Sequence, residues 1–250
     1  MGAETITAVV LTLNEEEHIG DCLASLGWAD KRLVFDSFSQ DKTVSLAEAA
    51  GAQVVQHPFE NYAQQRNAAL AAVETDWVFF VDADERSTPA LANEIRLVVA
   101  ERPERGWYVP RHNYIFGKLT LGAGWYPDYQ ARLFECAKVR YERPVHEVAV
   151  VEGELGYLEE PLVHYNYRNV AQFHKTQKGY TAYEAGILKG EIEAGEGRKP
   201  KIYTPWTQAV RHFWWRYVTL AGYRDGWHGL RLSGYMGYYE WVKYWRVWRG

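Results

Sequence analysis

Four short apolar runs, separated by helix-forming segments, occupy the first hundred residues, and this alternation constrains the fold more than any other feature. The apolar spacing predicts strands over 6–13, 33–36, 54–57 and 77–81. Between them it predicts a helix over 42–50 closed by Gly51, and another over 62–72. A further helix is expected over 91–100, where Thr88 and Pro89 supply an N-cap and a first-turn proline. Asn14 reads as the cap of a helix carrying Glu15, Glu16 and Glu17 in its first turn, near the positive end of the helix dipole. Strands alternating with helices join by right-handed crossovers into an α/β architecture, a doubly wound and mainly parallel sheet. Ligands of such sheets settle at the carboxyl ends of the strands.

After Gly106 the pattern changes. Strands are expected over 107–111, 131–134 and 155–164, joined by aromatic loops, and then a helix over about 170–188. The glycine-rich, charged stretch 191–200 reads as a linker, with aromatic helices near 207–220 and 230–248. The expected division is an α/β catalytic domain over 1–168 and a helical extension over 169–250. Charge follows a similar split. Residues 1–197 hold 18 basic and 30 acidic side chains, whereas residues 198–250 hold 10 basic and 2 acidic ones. Seven of the 11 tryptophans also lie in that last stretch. Tryptophan and tyrosine favour the lipid headgroup region and basic residues favour anionic lipid, so the C-terminal part is expected to meet an anionic membrane surface. The alternative is an aromatic helical pair packed on the catalytic domain or on a second subunit. Nucleic acid is not an expected partner, because the acidic first part repels phosphate backbones.

The two cysteines show no paired spacing and read as free thiols of a reducing compartment. Glu4 before a short apolar run indicates a buried strand rather than a signal peptide, and no long uncharged stretch predicts a membrane span. The expected location is cytoplasmic, peripheral to the inner face of the membrane.

Polar residues gather at the predicted strand ends: Thr12-Leu13-Asn14-Glu15 after the first, Asp36 to Thr43 after the second, and Asp82-Ala83-Asp84-Glu85 after the fourth. No Gly-x-Gly-x-x-Gly or Gly-Lys-Ser/Thr loop occurs there, which disfavours a Rossmann dehydrogenase or a P-loop enzyme. Asp82 and Asp84, one residue apart at a strand end, suit a hard divalent cation, Mg²⁺ or Mn²⁺, bound jointly with substrate phosphates. An Asp-x-Asp pair can equally cap a helix. Here the strand before it and the acids at neighbouring strand ends favour the metal.

These motifs in order, Val9 to Glu15, then Asp36-Ser37-x-Ser39-x-Asp41-x-Thr43, then Gln65-Arg66-Asn67, then Asp82-x-Asp84-Glu85, resemble those of family 2 glycosyltransferases. The stretch from Gly124 to Phe134, with Pro144-Val145-His146-Glu147, resembles more narrowly the bacterial lipopolysaccharide inner-core glucosyltransferases. The resemblance implies a GT-A-type sheet with a C-terminal aromatic helical extension, and an inverting transfer. It implies that Thr12, Asn14 and Glu15 line the nucleoside pocket, that Asp36 accepts a hydrogen bond from the base, that Arg66 approaches the base or diphosphate, and that Asp82 serves nucleotide sugar and metal alike. His164 is expected to join Asp82 and Asp84 at the metal. His146 is a second histidine of that kind.

For the base that takes the acceptor's proton two candidates stand, Glu147 and Asp128, with Glu147 preferred. The implied reaction moves a hexose, glucose from UDP-glucose, onto a lipid-linked saccharide acceptor such as a lipopolysaccharide core heptose. Two other readings are a transferase charging a polyprenyl phosphate and a sugar-phosphate nucleotidyltransferase. The second normally needs a glycine-rich basic loop after strand one, where this chain has Glu15, Glu16 and Glu17.

Overall fold

The computed structural model describes residues 4–143 and 147–249. The chain divides into two compact units: residues 1–111 with 129–164, and residues 112–128 with 165–250. This differs from a single boundary at 168/169, because the segment 112–128 groups with the helices.

The first unit opens with β1 (Ile6–Thr12), α1 (Ile19–Ser25), β2 (Lys31–Asp36), α2 (Thr43–Ala49), β3 (Gln53–Gln56) and α3 (Tyr62–Ala71). Next come β4 (Trp77–Asp82), the two-residue β5 (Glu85–Arg86), α4 (Pro89–Glu101) and β6 (Gly106–Ile115). β1 pairs in parallel with β2 and β4, and β2 with β3, giving the order β3-β2-β1-β4. After β7 (Lys118–Thr120), the chain returns as β8 (Tyr129–Glu135), which lies antiparallel between β4 and β6. β9 (Val139–Glu142) and β10 (Val148–Val151) form a hairpin, β11 (Leu155–Tyr157) pairs with β6, and β12 (Leu162–Tyr167) pairs with β5. Residues 155–164, expected as one strand, are thus two.

The sheet is buried on both faces, which is why its central strands are apolar throughout. Alternate residues of β4 point to opposite layers. Trp77, Phe79 and Val81 pack with Leu23, Leu91 and Ile95 from α1 and α4. Val78 and Phe80 pack instead with Ala63 and Ala69 of α3 and with Tyr141 of β9. Burying side chains of this size stabilises by about 1.5–3 kcal/mol each. The expected caps form. Thr88 Oγ1 accepts from the Leu91 amide at 3.1 Å, with Pro89 in the first turn. Asn61 likewise accepts from the Gln64 amide at 2.9 Å to start α3.

In the second unit the end of β6 pairs with β7 through Phe116 and Gly117, both at positive φ (53° and 73°). A two-residue turn with that backbone matches the twist of an antiparallel hairpin. Three helices follow: α5 (Val170–Glu193), α6 (Thr204–Trp214) and α7 (Trp227–Arg249). A π-helical turn over Trp215–Thr219 continues α6, so the helix reaches close to its expected end with a wider hydrogen-bond pattern in its last turn. Ile115, Tyr167, Phe173, Leu232 and Tyr239 form the core. α6 lies close on α7 because Gly237 has no side chain: a Cβ there would stand 3.1 Å from the Ala209 carbonyl oxygen and 3.2 Å from Phe213 Cβ.

Removing the α4 cap with Thr88→Ala should lower stability by about 1 kcal/mol, read as a shift in the urea midpoint at unchanged slope.

Candidate active site

The carboxyl ends of β1, β2 and β4 open into a cleft of about 390 Å³. Thr12, Glu15, Ser37, Arg66, Asp82 and Asp84 line it, with Phe59 and Tyr62 on its wall. The two loops behind it are sewn together by side chains. Asn14, at φ 57°, accepts from the Gln40 amide through Oδ1 and donates its own amide to Ser39 Oγ, both at 2.8 Å. The Glu15 amide donates to Thr43 Oγ1 at 2.7 Å, and the Glu16 amide to Asp41 Oδ2 at 3.1 Å. Asn14 therefore caps no helix. Asparagine tolerates the left-handed backbone that the crossing of two loops requires, and α1 begins only at Ile19.

Asp36 is placed differently from expectation. It is fully buried and does not line the cleft. Its carboxylate accepts from Thr12 Oγ1 at 2.9 Å, from the amide and hydroxyl of Ser39, and from Gln56 Nε2 at 3.2 Å. Burial raises its pKa, yet these donors more than offset that and hold the carboxyl below the usual carboxylate range. With its lone pairs taken by neighbouring strand ends, Asp36 orders the loop. Ser37, beside it, faces the cleft and accepts from Gln65 Nε2 at 3.1 Å.

At the end of β4, Asp82 is gripped by Arg132 of β8. Nη1 lies 3.2 Å from Oδ1, and Nη2 makes a very short contact with Oδ2. The same guanidinium donates to Glu85 Oε1 at 2.7 Å, and Arg111 reaches that oxygen at 3.3 Å. Glu85 Oε2 accepts from the Asp82 amide at 2.9 Å, which folds the Asp-x-Asp turn back on itself. Burial alone would raise the Asp82 pKa, but Arg132, Arg66 and Arg111 hold it well below the carboxylate range. Arg132 is itself pushed above its ordinary value: burial opposes its charge, and Asp82 and Glu85 outweigh that.

Arg66 projects from α3 between the rings of Phe80 and Tyr141, 5.2 and 5.5 Å from their centroids. It stands 4.0 Å from Asp82 Oδ1 and 3.7 Å from Glu147 Oε1, so it is no solvated helix face. The adjacent Asn67 exchanges two 2.8 Å hydrogen bonds with the Tyr141 backbone, which ties α3 to β9. The Tyr141 hydroxyl is buried without a hydrogen-bond partner, and burial pushes its pKa up to about 12.

Among the sequence-predicted residues, Thr12, Glu15, Arg66, Asp82 and Asp84 meet at the cleft. Asn14 and Asp36 support its floor from behind. His164 on β12 lies with Nε2 3.4 Å from Asp84 Oδ2. Asp128 belongs to the second unit, where Asn113 Nδ2 donates to it at 3.1 Å. His146, with Pro144 and Val145, lies outside the described residues.

Asp82, Asp84 and His164 do not form a ready metal cage: among the described residues no three His, Cys, Asp or Glu side chains converge. Arg132 engages both oxygens of the Asp82 carboxylate. The donor set still fits a cation of the Mg²⁺ type, which binds through one or two carboxylates and completes its shell with substrate phosphates and water.

Sequence reasoning passed over Arg132, Glu85, Phe59 and Tyr62 as site residues. Arg132 stood within a quoted motif, but nothing local told that its partners lie some fifty residues away. Phe59 and Tyr62 carried a weak signal, two aromatics flanking the Asn61 cap.

A parallel β3-β2-β1-β4 core extended by antiparallel β8, with paired aspartates at the end of β4, is an arrangement of the GT-A type. The family model for glycosyl transferase family 2 matches residues 7–121, a little under half of the chain, and the chain resembles that family. It is 29% identical to the lipopolysaccharide core biosynthesis glycosyltransferase LpsC of Rhizobium meliloti, over 79% of this chain and 75% of that protein. It is 26% identical to an uncharacterized glycosyltransferase of Rickettsia bellii, over 84% of this chain and 74% of that one. Among solved structures, it resembles glucosyl-3-phosphoglycerate synthase from Mycobacterium tuberculosis, crystallised with Mn²⁺, UDP and glucosyl-3-phosphoglycerate. There the match is 26% identical with a TM-score of 0.38, over 44% of each chain, so the fold assignment rests on strand order instead.

Removing Arg132 leaves Asp82 and the buried Glu85 with only the longer cation contacts of Arg66 and Arg111. Arg132→Met should therefore lose about 3–5 kcal/mol of stability in chemical denaturation, and Arg132→Lys less. Equal stability of wild type and Arg132→Met would show that the cluster carries no structural load.

Proposed function

We propose that this chain is an inverting hexosyltransferase that takes glucose from UDP-glucose and attaches it to a lipid-linked saccharide, such as a heptose of lipopolysaccharide core. The observation that carries the reading is the cleft at the strand ends, where Arg66, Asp82 and Asp84 stand together beside two aromatic rings. In this reading the base of the nucleotide lies against Phe59 and Tyr62, near Thr12 and Ser37. Arg66 faces the diphosphate, to which a guanidinium is geometrically matched. The similarity to a lipopolysaccharide core glycosyltransferase supports the acceptor class.

The carboxylates of the site, Glu15, Asp82, Asp84, Glu85 and Glu147, outnumber its guanidiniums, Arg66, Arg111 and Arg132. An incoming diphosphate adds further negative charge, and a divalent cation offsets both. Asp84 and His164, with the outer lone pairs of Asp82, are the residues that would hold it. Bound there, the cation would neutralise the charge that develops on the departing diphosphate.

The acceptor hydroxyl attacks the anomeric carbon opposite the diphosphate. A new C–O bond forms as the bond to the diphosphate oxygen breaks with its electron pair, and the proton passes to Glu147. Glu147 suits that role because its side chain stands beside Arg66, at the same end of the cleft as Asp82.

Asp84→Asn should abolish transfer while the far-ultraviolet spectrum and melting temperature stay near wild type. Activity that survives both this change and EDTA would sink the cation-assisted reaction. Arg66→Ala should weaken UDP binding about 10- to 100-fold by calorimetry. Glu147→Gln should lower turnover by about 10²–10⁴ with donor affinity kept. Loss of turnover in Asp128→Asn with a near-normal Glu147→Gln would reverse the assignment of the base.

A further inference from the structure

The second unit presents an apolar helix face that is largely exposed. Along α6 and the wide turn after it, Tyr203, Trp206, Val210, Trp214 and Val218 follow each other at steps of three or four residues. That is the spacing of one helical stripe. In a globular protein such a stripe normally faces the core. Here it faces outward: Trp206 and Trp214 are 62% exposed and Val210 is 68% exposed. The opposite side does the packing. Pro205 is buried, and Ala209 and Phe213 lie against the α7 backbone at Gly237. α6 is therefore anchored by one side, and on the other Trp206 leans on Trp241 of α7, ring centroids 5.4 Å apart, while most of the stripe stays exposed.

We propose that this face of α6 is a lipid-contacting surface, which lies in the headgroup region of an anionic membrane with Trp206, Val210 and Trp214 immersed. Charge identifies the occupant. Lys199 and Lys201 precede the helix and Arg211 lies on its exposed side. Residues 198–250 as a whole hold 10 basic and 2 acidic side chains. Two copies meeting through the same patch would bring these cations together, since a two-fold interface places each patch on itself. Anionic lipid complements them. Tryptophan and tyrosine are the side chains that prefer the boundary between hydrocarbon and water. No helix among the described residues is long and apolar enough to cross a membrane, so the helix would lie along the surface rather than span it.

The inference deepens the acceptor reading above and rests on it for the reason a surface is needed. Its test contains no sugar, so its failure leaves the donor chemistry standing. Wild type and the variant Trp206→Ser/Val210→Ser/Trp214→Ser are sedimented with phosphatidylglycerol–phosphatidylethanolamine vesicles and with neutral phosphatidylcholine vesicles. Circular dichroism and UDP affinity report that the variant remains folded, and the second variant Val210→Ser serves if the first does not. Wild type should bind the anionic vesicles, and at least about tenfold more tightly than the triple variant. Part of that binding should persist at high salt, because the apolar contribution is not screened. Negligible binding of wild type, or equal binding of wild type and variants, overturns the proposal. So does a wild type that dimerises with rising concentration while the triple variant stays monomeric, for then the face covers a second copy.

Discussion

The site depends on a single buried guanidinium. β8 runs antiparallel to β4 with Leu133 opposite Phe79, so Arg132, one residue earlier on β8, arrives at the carboxyl end of β4. There it meets Asp82 and Glu85, and Glu85 in turn holds the Asp82 amide. A carboxylate as buried as Glu85 would carry a cost of several kcal/mol without a cation beside it. Arg132 removes that cost and, by the same contact, fixes the direction in which the turn leaves the sheet. Asp84, two residues beyond Asp82, is left turned toward the cleft and His164. The acidic turn is thus shaped by an ion cluster behind it.

Much of the first unit was legible in the sequence because its strands are buried on both faces. The apolar run 77–81 has no polar residue to leave its orientation in doubt, and the strand observed, Trp77–Asp82, differs by one residue. α4 was equally legible, since Thr88 and Pro89 mark a helix start chemically as well as by pattern. The first helix was not. Asn14 has the side chain of a cap, but a cap and a loop bridge use the same short amide, and only the partner, Gln40, decides between them. That partner lies on another strand's loop, beyond any local reading.

The same reasoning explains the site. The residue types were readable at strand ends because open sheets bind ligands there. Which of two neighbouring polar residues faces the cleft was not. Asp36 and Ser37 are adjacent, and the carboxylate turns inward, where Thr12, Ser39 and Gln56 offer it four donors. Arg66 reads in the sequence as one polar residue on a helix, yet the rings of Phe80 and Tyr141 enclose it from two distant strands. Aromatic rings beside a guanidinium limit its motion and keep its donors aimed at the carboxylates of the cleft. Contacts of this kind have large sequence separation, and no local pattern encodes them.

The helical unit carries the complementary lesson about periodicity. α6 and α7 are both rich in aromatic residues, and both show stripes at helical spacing. Spacing says that a helix has an apolar side, but it does not say which way the side points. In α7 the stripe through Leu232 and Tyr239 enters the core with Phe173. In α6 the stripe faces out, because the helix is fastened by its other side. At Gly237 the α7 backbone leaves room for Ala209 and Phe213, and Pro205 fills the start of the contact. A glycine on one helix therefore sets the orientation of another, and with it which tryptophans the protein buries and which it presents to its surroundings.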